Sequence, residues 1–212
     1  MLNLSKIQLL CVNGSVPTPK DALASMRLCM SQAEFGKATF ISEYGSSTMK
    51  DIEHHRVRGD LAWYSQFMAS GVVDFLTHDF VLVVQHDGMI VNSEAWTDEF
   101  YDYDYIGAPW PVPRPQDCRV GNGGFSLRSK RLQQELVKIP FPCNENEDAF
   151  ICNTHRAHLE SCGMRFAPPE LAARFAIEFD TWHHEDYGQT PFGFHGWYGD
   201  RIKYMELRNK FR

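Results

Sequence analysis

Four groups of side chains in this 212-residue chain could do chemistry. The first is Gln85-His86-Asp87-Gly88, directly after the apolar run at residues 80–84. A carboxylate in such a turn can hold a divalent cation, and the cation can hold a phosphate-bearing ligand. A plain Asp-Gly turn joining two strands would read the same way. The second is Val120-Gly121-Asn122-Gly123-Gly124-Phe125, whose glycines permit positive φ and close backbone approach to a ligand. It has neither the spacing nor the position of a dinucleotide-binding fingerprint, and a tight hairpin is its plain alternative. The third is Asn144-Glu145-Asn146-Glu147-Asp148, where carboxylates open a helix. They could serve only the helix macrodipole, or Glu147 or Asp148 could face a cleft as general base. The fourth is Phe192-Gly193-Phe194-His195-Gly196-Trp197, a His between glycines that could complete a metal site near a carboxylate.

The elements that must position these groups alternate. Residues 6–12 read as a buried strand ending at Asn13-Gly14, and Thr18-Pro19 opens a helix with Thr as N-cap and Pro at the first turn. Residues 37–42 form a second strand ending in Ser42-Glu43-Tyr44, and residues 45–59 look irregular. Helical periodicity returns at 60–70, ahead of the Val-rich strand at 80–85, which suits burial on both faces of a sheet. This β-α-β-α-β order predicts a mostly parallel sheet with right-handed crossovers. In such sheets ligands bind at the carboxyl ends of the strands. The second half reads as strands at 105–108, 125–128 and 164–167, with helices at 129–137, 147–159 and from Pro168-Pro169-Glu170 onward. No internal repeat or linker appears, so residues 1–212 are expected to form one α/β domain.

Composition narrows the partners. A formal charge of −6 leaves no basic excess to displace counterions from nucleic acid. No apolar stretch approaches the ~20 residues of a membrane span. The basic cluster at the C-terminus (Arg201, Lys203, Arg208, Lys210, Arg212) reads as a solvated helix face. The six cysteines contain no C-x-x-C pair, and reduced thiols in a cytoplasmic setting are expected.

The motifs at 104–110 (Asp-Tyr-Ile-Gly-Ala-Pro-Trp), 120–129, 146–148 (Asn-Glu-Asp) and 192–196 occur in an order that resembles a family of small domains similar to GT-A glycosyltransferases. The resemblance runs from about residue 7 to 197. It implies a GT-A (Rossmann-like) fold and a hexosyltransferase using a nucleotide-diphosphate sugar, with uridine as the base and Mn²⁺ or Mg²⁺ bridging the diphosphate. The acceptor would be a hydroxyl of a glycan or glycoprotein. GT-A enzymes usually carry Asp-x-Asp after a central strand; Gln85-His86-Asp87 keeps only the second carboxylate. Asp87 and His195 are then the metal ligands, His195 matching a C-terminal ligand of the family. Asp148, with Glu147 as alternative, is the base of an inverting transfer. Val12, Asn13, Ser42, Glu43, Tyr44, Arg58, Gln85, His86, Asn122, Gly123 and Gly124 are expected to line the nucleotide-sugar site.

Two other functions compete. The incomplete metal motif suits a nucleotide-sugar or glycan-binding module without turnover. A metal-dependent hydrolase would draw on Asp87, His195 and His183-His184, but no H-E-x-x-H spacing supports it. The adjacent pairs His54-His55 and His183-His184 read as loop residues, and His155 and His158 as solvated helix surface.

Overall fold

Buried aliphatic runs set the central sheet of the computed structural model, which describes residues 1–14, 19–43, 50–57, 61–111, 119–142, 144–179, 181–196 and 201–211. The first half contains β1 (Leu2–Asn13), α1 (Pro19–Gln32), β2 (Ala33–Ser42), β3 (Glu53–Arg56), α2 (Leu61–Gln66), β4 (Phe80–Val84) and β5 (Gly88–Ile90). Next come β6 (Tyr105–Ile106), β7 (Ala108–Pro109), β8 (Val120–Gly121), β9 (Phe125–Ser129) and α3 (Lys130–Leu136). The chain continues through α4 (Glu147–Ala149), α5 (Arg156–Ser161), α6 (Pro169–Phe175) and β10 (Ala176–Ile177). It closes with α7 (Trp182–Tyr187), β11 (Gly193–His195) and α8 (Arg201–Asn209).

The main sheet has the order β3-β2-β1-β4-β9-β6. Its first four strands are parallel, and β9 runs antiparallel to both β4 and β6. The mostly parallel α/β sheet expected from the sequence is therefore present. Parallel pairing puts the carboxyl ends of β1, β2 and β4 on one edge, where Asn13, Ser42 and Gln85 lie. A second sheet of order β10-β11-β5 begins directly beyond that edge. α1 buries Leu23, Met26, Leu28 and Cys29 in the same core as Leu9, Leu82 and Phe125. No helix among the described residues is long and apolar enough to cross a membrane.

Several local expectations fail for physical reasons. The segment expected to be irregular contains β3, an edge strand made of Glu53-His54-His55-Arg56, so no apolar run announces it. His54-His55 is therefore in a strand, and His183-His184 is in α7, not in loops. The strand expected at 105–108 splits at Gly107, where an added Cβ would sit 1.8 Å from Gly121 O. Residues 164–167 make only an isolated bridge, Phe166 to Tyr105. The helix expected at 147–159 is interrupted by a π-helical turn at Phe150–Thr154. Arg208 is not solvated: it is 6% exposed and its guanidinium donates to His86 O (2.6 Å).

Candidate functional site

Asp87 and His195, 108 residues apart in the chain (195 − 87), meet through two three-residue strands. β11 pairs antiparallel with β5, setting His195 opposite Gly88, and the Gly196 N–H donates to Asp87 O (3.2 Å). This register leaves His195 Nε2 3.4 Å from Asp87 Oδ1. His86 Nδ1 lies 3.3 Å from the same oxygen. Both contacts are of ion-pair range, yet Asp87 Oδ1 is buried with no hydrogen-bond partner among the described residues.

The far side of the imidazole is also fixed. His195 Nδ1 is 3.0 Å from Glu178 Oε1, and Nε2 is 3.3 Å from Gln85 Oε1. Gln85 Nε2 in turn donates to the Tyr64 hydroxyl (2.8 Å). Burial alone would lower the His195 pKa, but Asp87 and Glu178 raise it to about 10. Burial likewise pushes the Asp87 carboxyl up, and His195, helped by His86, outweighs this and holds it at about 2. Without a metal, His195 is thus an imidazolium between two carboxylates.

The donor set fits a divalent cation. Oxygen and imidazole atoms sharing one ion at ~2.0–2.2 Å lie roughly 3 Å apart or slightly more, close to the separation seen here. The unsatisfied Asp87 oxygen is the atom such an ion would take. Glu178 on Nδ1 would serve as the outer carboxylate that orients a ligating His, leaving Nε2 for the metal. A bound ion would replace the Nε2 proton.

The glycine-rich loop walls this centre. Asn122 holds φ +73°, and its Oδ1 accepts from Gly124 N–H (3.0 Å) and Phe125 N–H (3.3 Å). The Tyr105 hydroxyl donates to Asn122 O (3.0 Å), and Gln85 N–H donates to Gly124 O (2.9 Å). A Cβ on Gly124 would fall 1.9 Å from His195 Nε2, so only glycine lets loop and imidazole pack together.

Glu147 and Asp148 lie on the loop's other side and differ in setting. Glu147 is buried against Arg128 (3.1 Å), itself fully buried in β9 and donating to Gly123 O (3.2 Å). Burial raises the Glu147 carboxyl against the pull of Arg128. Asp148 is half-buried and accepts from Gly123 N–H (3.3 Å) and Ala149 N–H (2.8 Å). Gly123 and Gly124 therefore join the Asp148 side to the Asp87–His195 side.

At the ends of β1 and β2, Val12, Asn13 and Ser42 are buried and Glu43 is half-buried. The Asn13 side-chain amide nitrogen is buried with no hydrogen-bond partner among the described residues. Tyr44 and Arg58 lie outside the described residues. His183 turns toward Glu170 (3.9 Å), and His184 toward Thr181 and Ala176 O. A cleft of about 650 Å³ lined by Tyr101, Tyr103, Asp104, Arg131 and Arg165 opens where β4 begins and β9 ends. It is at the opposite edge from Asp87, and the convergence of unsatisfied polar atoms places the candidate site at the carboxyl edge instead.

Sequence reasoning missed Glu178, Tyr64 and Arg128. Only the partial alternation of Phe125-Ser126-Leu127-Arg128 hints at the last, by pointing Arg128 to the face opposite Phe125 and Leu127.

The family described as "Protein of unknown function (DUF5672)" matches residues 47–195. No curated protein matches the chain. Among solved structures, the apo-form glycosyltransferase GlyE of Streptococcus pneumoniae is similar with a TM-score of 0.55 at 11% identity, over 95% of this chain and 59% of that one. The chain thus spans less than two thirds of GlyE. Mouse xyloside xylosyltransferase 1 gives 0.51 at 12% identity, over 92% and 98%. Galactosyltransferase LgtC in complex with donor and acceptor sugar analogs gives 0.50 at 10%, over 96% of each chain. Likeness at such identity establishes the fold alone, which is GT-A-like.

Proposed function

We propose that this chain, which belongs to the DUF5672 family, is a glycosyltransferase that moves a sugar from a nucleotide-diphosphate sugar to a hydroxyl of a glycan or glycoprotein. The observation that carries this reading is the buried, unsatisfied Asp87 Oδ1 facing His195 Nε2 at 3.4 Å, at the carboxyl edge of a parallel sheet. Asp87 and His195 would hold Mn²⁺ or Mg²⁺, with Gln85 Oε1 a neutral oxygen beside them. When bound, the ion stabilises the negative charge that collects on the departing diphosphate.

The remaining roles fall to the chain's own groups. Val12, Asn13, Ser42 and Glu43 receive the base and ribose at the strand ends, and the unpartnered Asn13 amide supplies a donor there. Tyr44 and Arg58, outside the described residues, are assigned to donor binding from the sequence alone. His86 flanks the diphosphate, and Asn122, Gly123 and Gly124 form the wall between donor and acceptor. An acceptor hydroxyl is a weak nucleophile, so an inverting transfer needs one carboxylate to take its proton. Asp148 fills that role better than Glu147, whose charge is engaged by Arg128. The preference for uridine rests on the sequence resemblance.

One observation favours a binding module without turnover. Gln85 stands where the first carboxylate of the motif would, and the His195 imidazolium already offsets one of the two charges of Asp87 and Glu178 without an ion. Thermal melting with uridine and guanosine diphosphate sugars, with and without Mn²⁺, followed by turnover assays, separates the readings. A ligand that binds only the folded state raises the melting temperature with concentration. We expect a metal-dependent rise with a uridine diphosphate sugar that disappears in Asp87→Asn. An equal rise in that variant would sink the Asp87 assignment. Binding with no sugar transfer or donor hydrolysis would favour the module.

A further inference from the structure

Next to the cleft lined by Asp104 and Arg131, α3 and α5 bring a second set of metal-binding atoms together. Arg131 of α3 donates to Gly163 O (3.1 Å), in the turn that ends α5. Gly163 has φ +84°, the left-handed conformation that closes a helix, and its N–H donates to Glu160 O (2.9 Å). Glu135 lies four residues after Arg131 on the same helical face, so the anchored turn brings it over the end of α5. There His158 and Cys162, again four residues apart, present Nε2 and Sγ 3.9 Å from each other. One ligand atom from each of Glu135, His158 and Cys162 lies within 4.8 Å of the others. Leu132, Leu136 and Leu159 pack beneath in one core cluster, so the two helices are held before any ligand arrives.

We propose that Glu135, His158 and Cys162 form a surface site for a zinc-class divalent ion, clamping α5 to α3 and leaving one coordination position to water. Zinc takes thiolate at ~2.3 Å and imidazole at ~2.0–2.1 Å in tetrahedral geometry, which sets S and N about 3.5 Å apart. The observed separation needs only small side-chain adjustments to reach that value. The sulfur also separates this site from the oxygen-rich one at Asp87, because thiolate selects Zn²⁺ over Mg²⁺ or Mn²⁺. On binding, the Cys162 thiol loses its proton to solvent as the S–metal bond forms, and Glu135 exchanges its ion pair with Lys138 (2.5 Å) for the metal.

The probe is Cd²⁺ or Co²⁺ titrated into the full chain, read by the sulfur-to-metal charge-transfer band, with affinity checked by calorimetry. The Asp87–His195 pair contains no sulfur and is silent in this readout. We expect a saturable band at one equivalent that is abolished in Cys162→Ser. His158→Gln and Glu135→Gln should each weaken binding by at least the ~10–100-fold that even outer-shell partners cost. These side chains are on the surface, so circular dichroism should stay unchanged. Absence of the band in the unmodified chain, or its persistence in Cys162→Ser, would overturn the proposal. So would undiminished affinity in both His158→Gln and Glu135→Gln, which would reduce the site to a lone reactive thiol.

Discussion

Glu147 and Asp148 are neighbours at the start of α4, yet their surroundings give them different work. Glu147 neutralises Arg128, which has no exposure to solvent, and both pack against Gly123. Removing one charge of a buried pair strands the other, so Glu147→Gln should cost about 3 kcal/mol in unfolding free energy by urea titration. The Gly123 and Ala149 N–H groups donate to different oxygens of Asp148, so Asp148→Asn keeps an acceptor for one of them, sets an amide NH2 toward the other, and should cost about 1–2 kcal/mol. If Asp148 is the base, the same variant should lower turnover by ~10²–10⁴-fold with donor affinity unchanged. A nearly intact rate would leave Asp148 as a loop clamp only.

At the scale of elements, Asp104 ties three segments together. Its carboxylate accepts from the Ser129 hydroxyl, the Arg131 guanidinium (Nε, 2.6 Å) and the Arg165 N–H (2.8 Å). Burial raises this carboxyl, but Arg131, Ser129 and the Arg165 amide together hold it below its ordinary value. A depressed folded-state pKa gives stability that is complete above the unfolded value of about 3.9 and is lost as pH falls through the folded one. Unfolding free energy should therefore drop more steeply below about pH 5 in the unmodified chain than in Asp104→Asn. The glycine loop and β11 make a second junction. Gly124→Ala would drive a methyl into His195 Nε2, so it should abolish metal-dependent donor binding while far-UV circular dichroism keeps its shape. Retained binding would mean that the imidazole is not a ligand. Much of this frame was legible: the Val-rich run of β4, the Pro at the first turn of α1 and the acid beyond β4 are all local signals. β3 was hidden because an edge strand of four polar residues carries no apolar pattern. Glu178 was hidden because its partner depends on the β11 register, and residues 17 apart leave no short-range trace. Arg128 sits on the side of β9 away from Phe125 and Leu127, which sequence would give to solvent but which Glu147 and Tyr105 cover.

For the whole molecule, α8 acts back on the candidate site. Arg208 donates to His86 O and lies 3.5 Å from Asp21 of α1, so the C-terminal helix fastens the Asp87 turn to the first helix. Arg208→Met removes charged hydrogen bonds from a nearly buried position and should cost ~1.5–3 kcal/mol. It should also weaken Mn²⁺ binding measured by calorimetry, because the turn carrying Asp87 loses its support. Wild-type metal affinity in a variant of reduced stability would limit α8 to a scaffolding role.

The meeting of Asp87 with His195 through β5 and β11 also fixes an order of events in time. At ~5–20 residues per second, a ribosome delivers His195 roughly 5–20 s after Asp87. In that interval β4 can already pair with β1, and the strand ends proposed to receive the nucleotide exist, while β5 still waits for its partner. A product interrupted before β11 would carry half of the proposed donor pocket and would lack the His195 side of the Asp87 site. On the proposed reading, metal-dependent donor binding begins only once β11 has been made and has paired with β5.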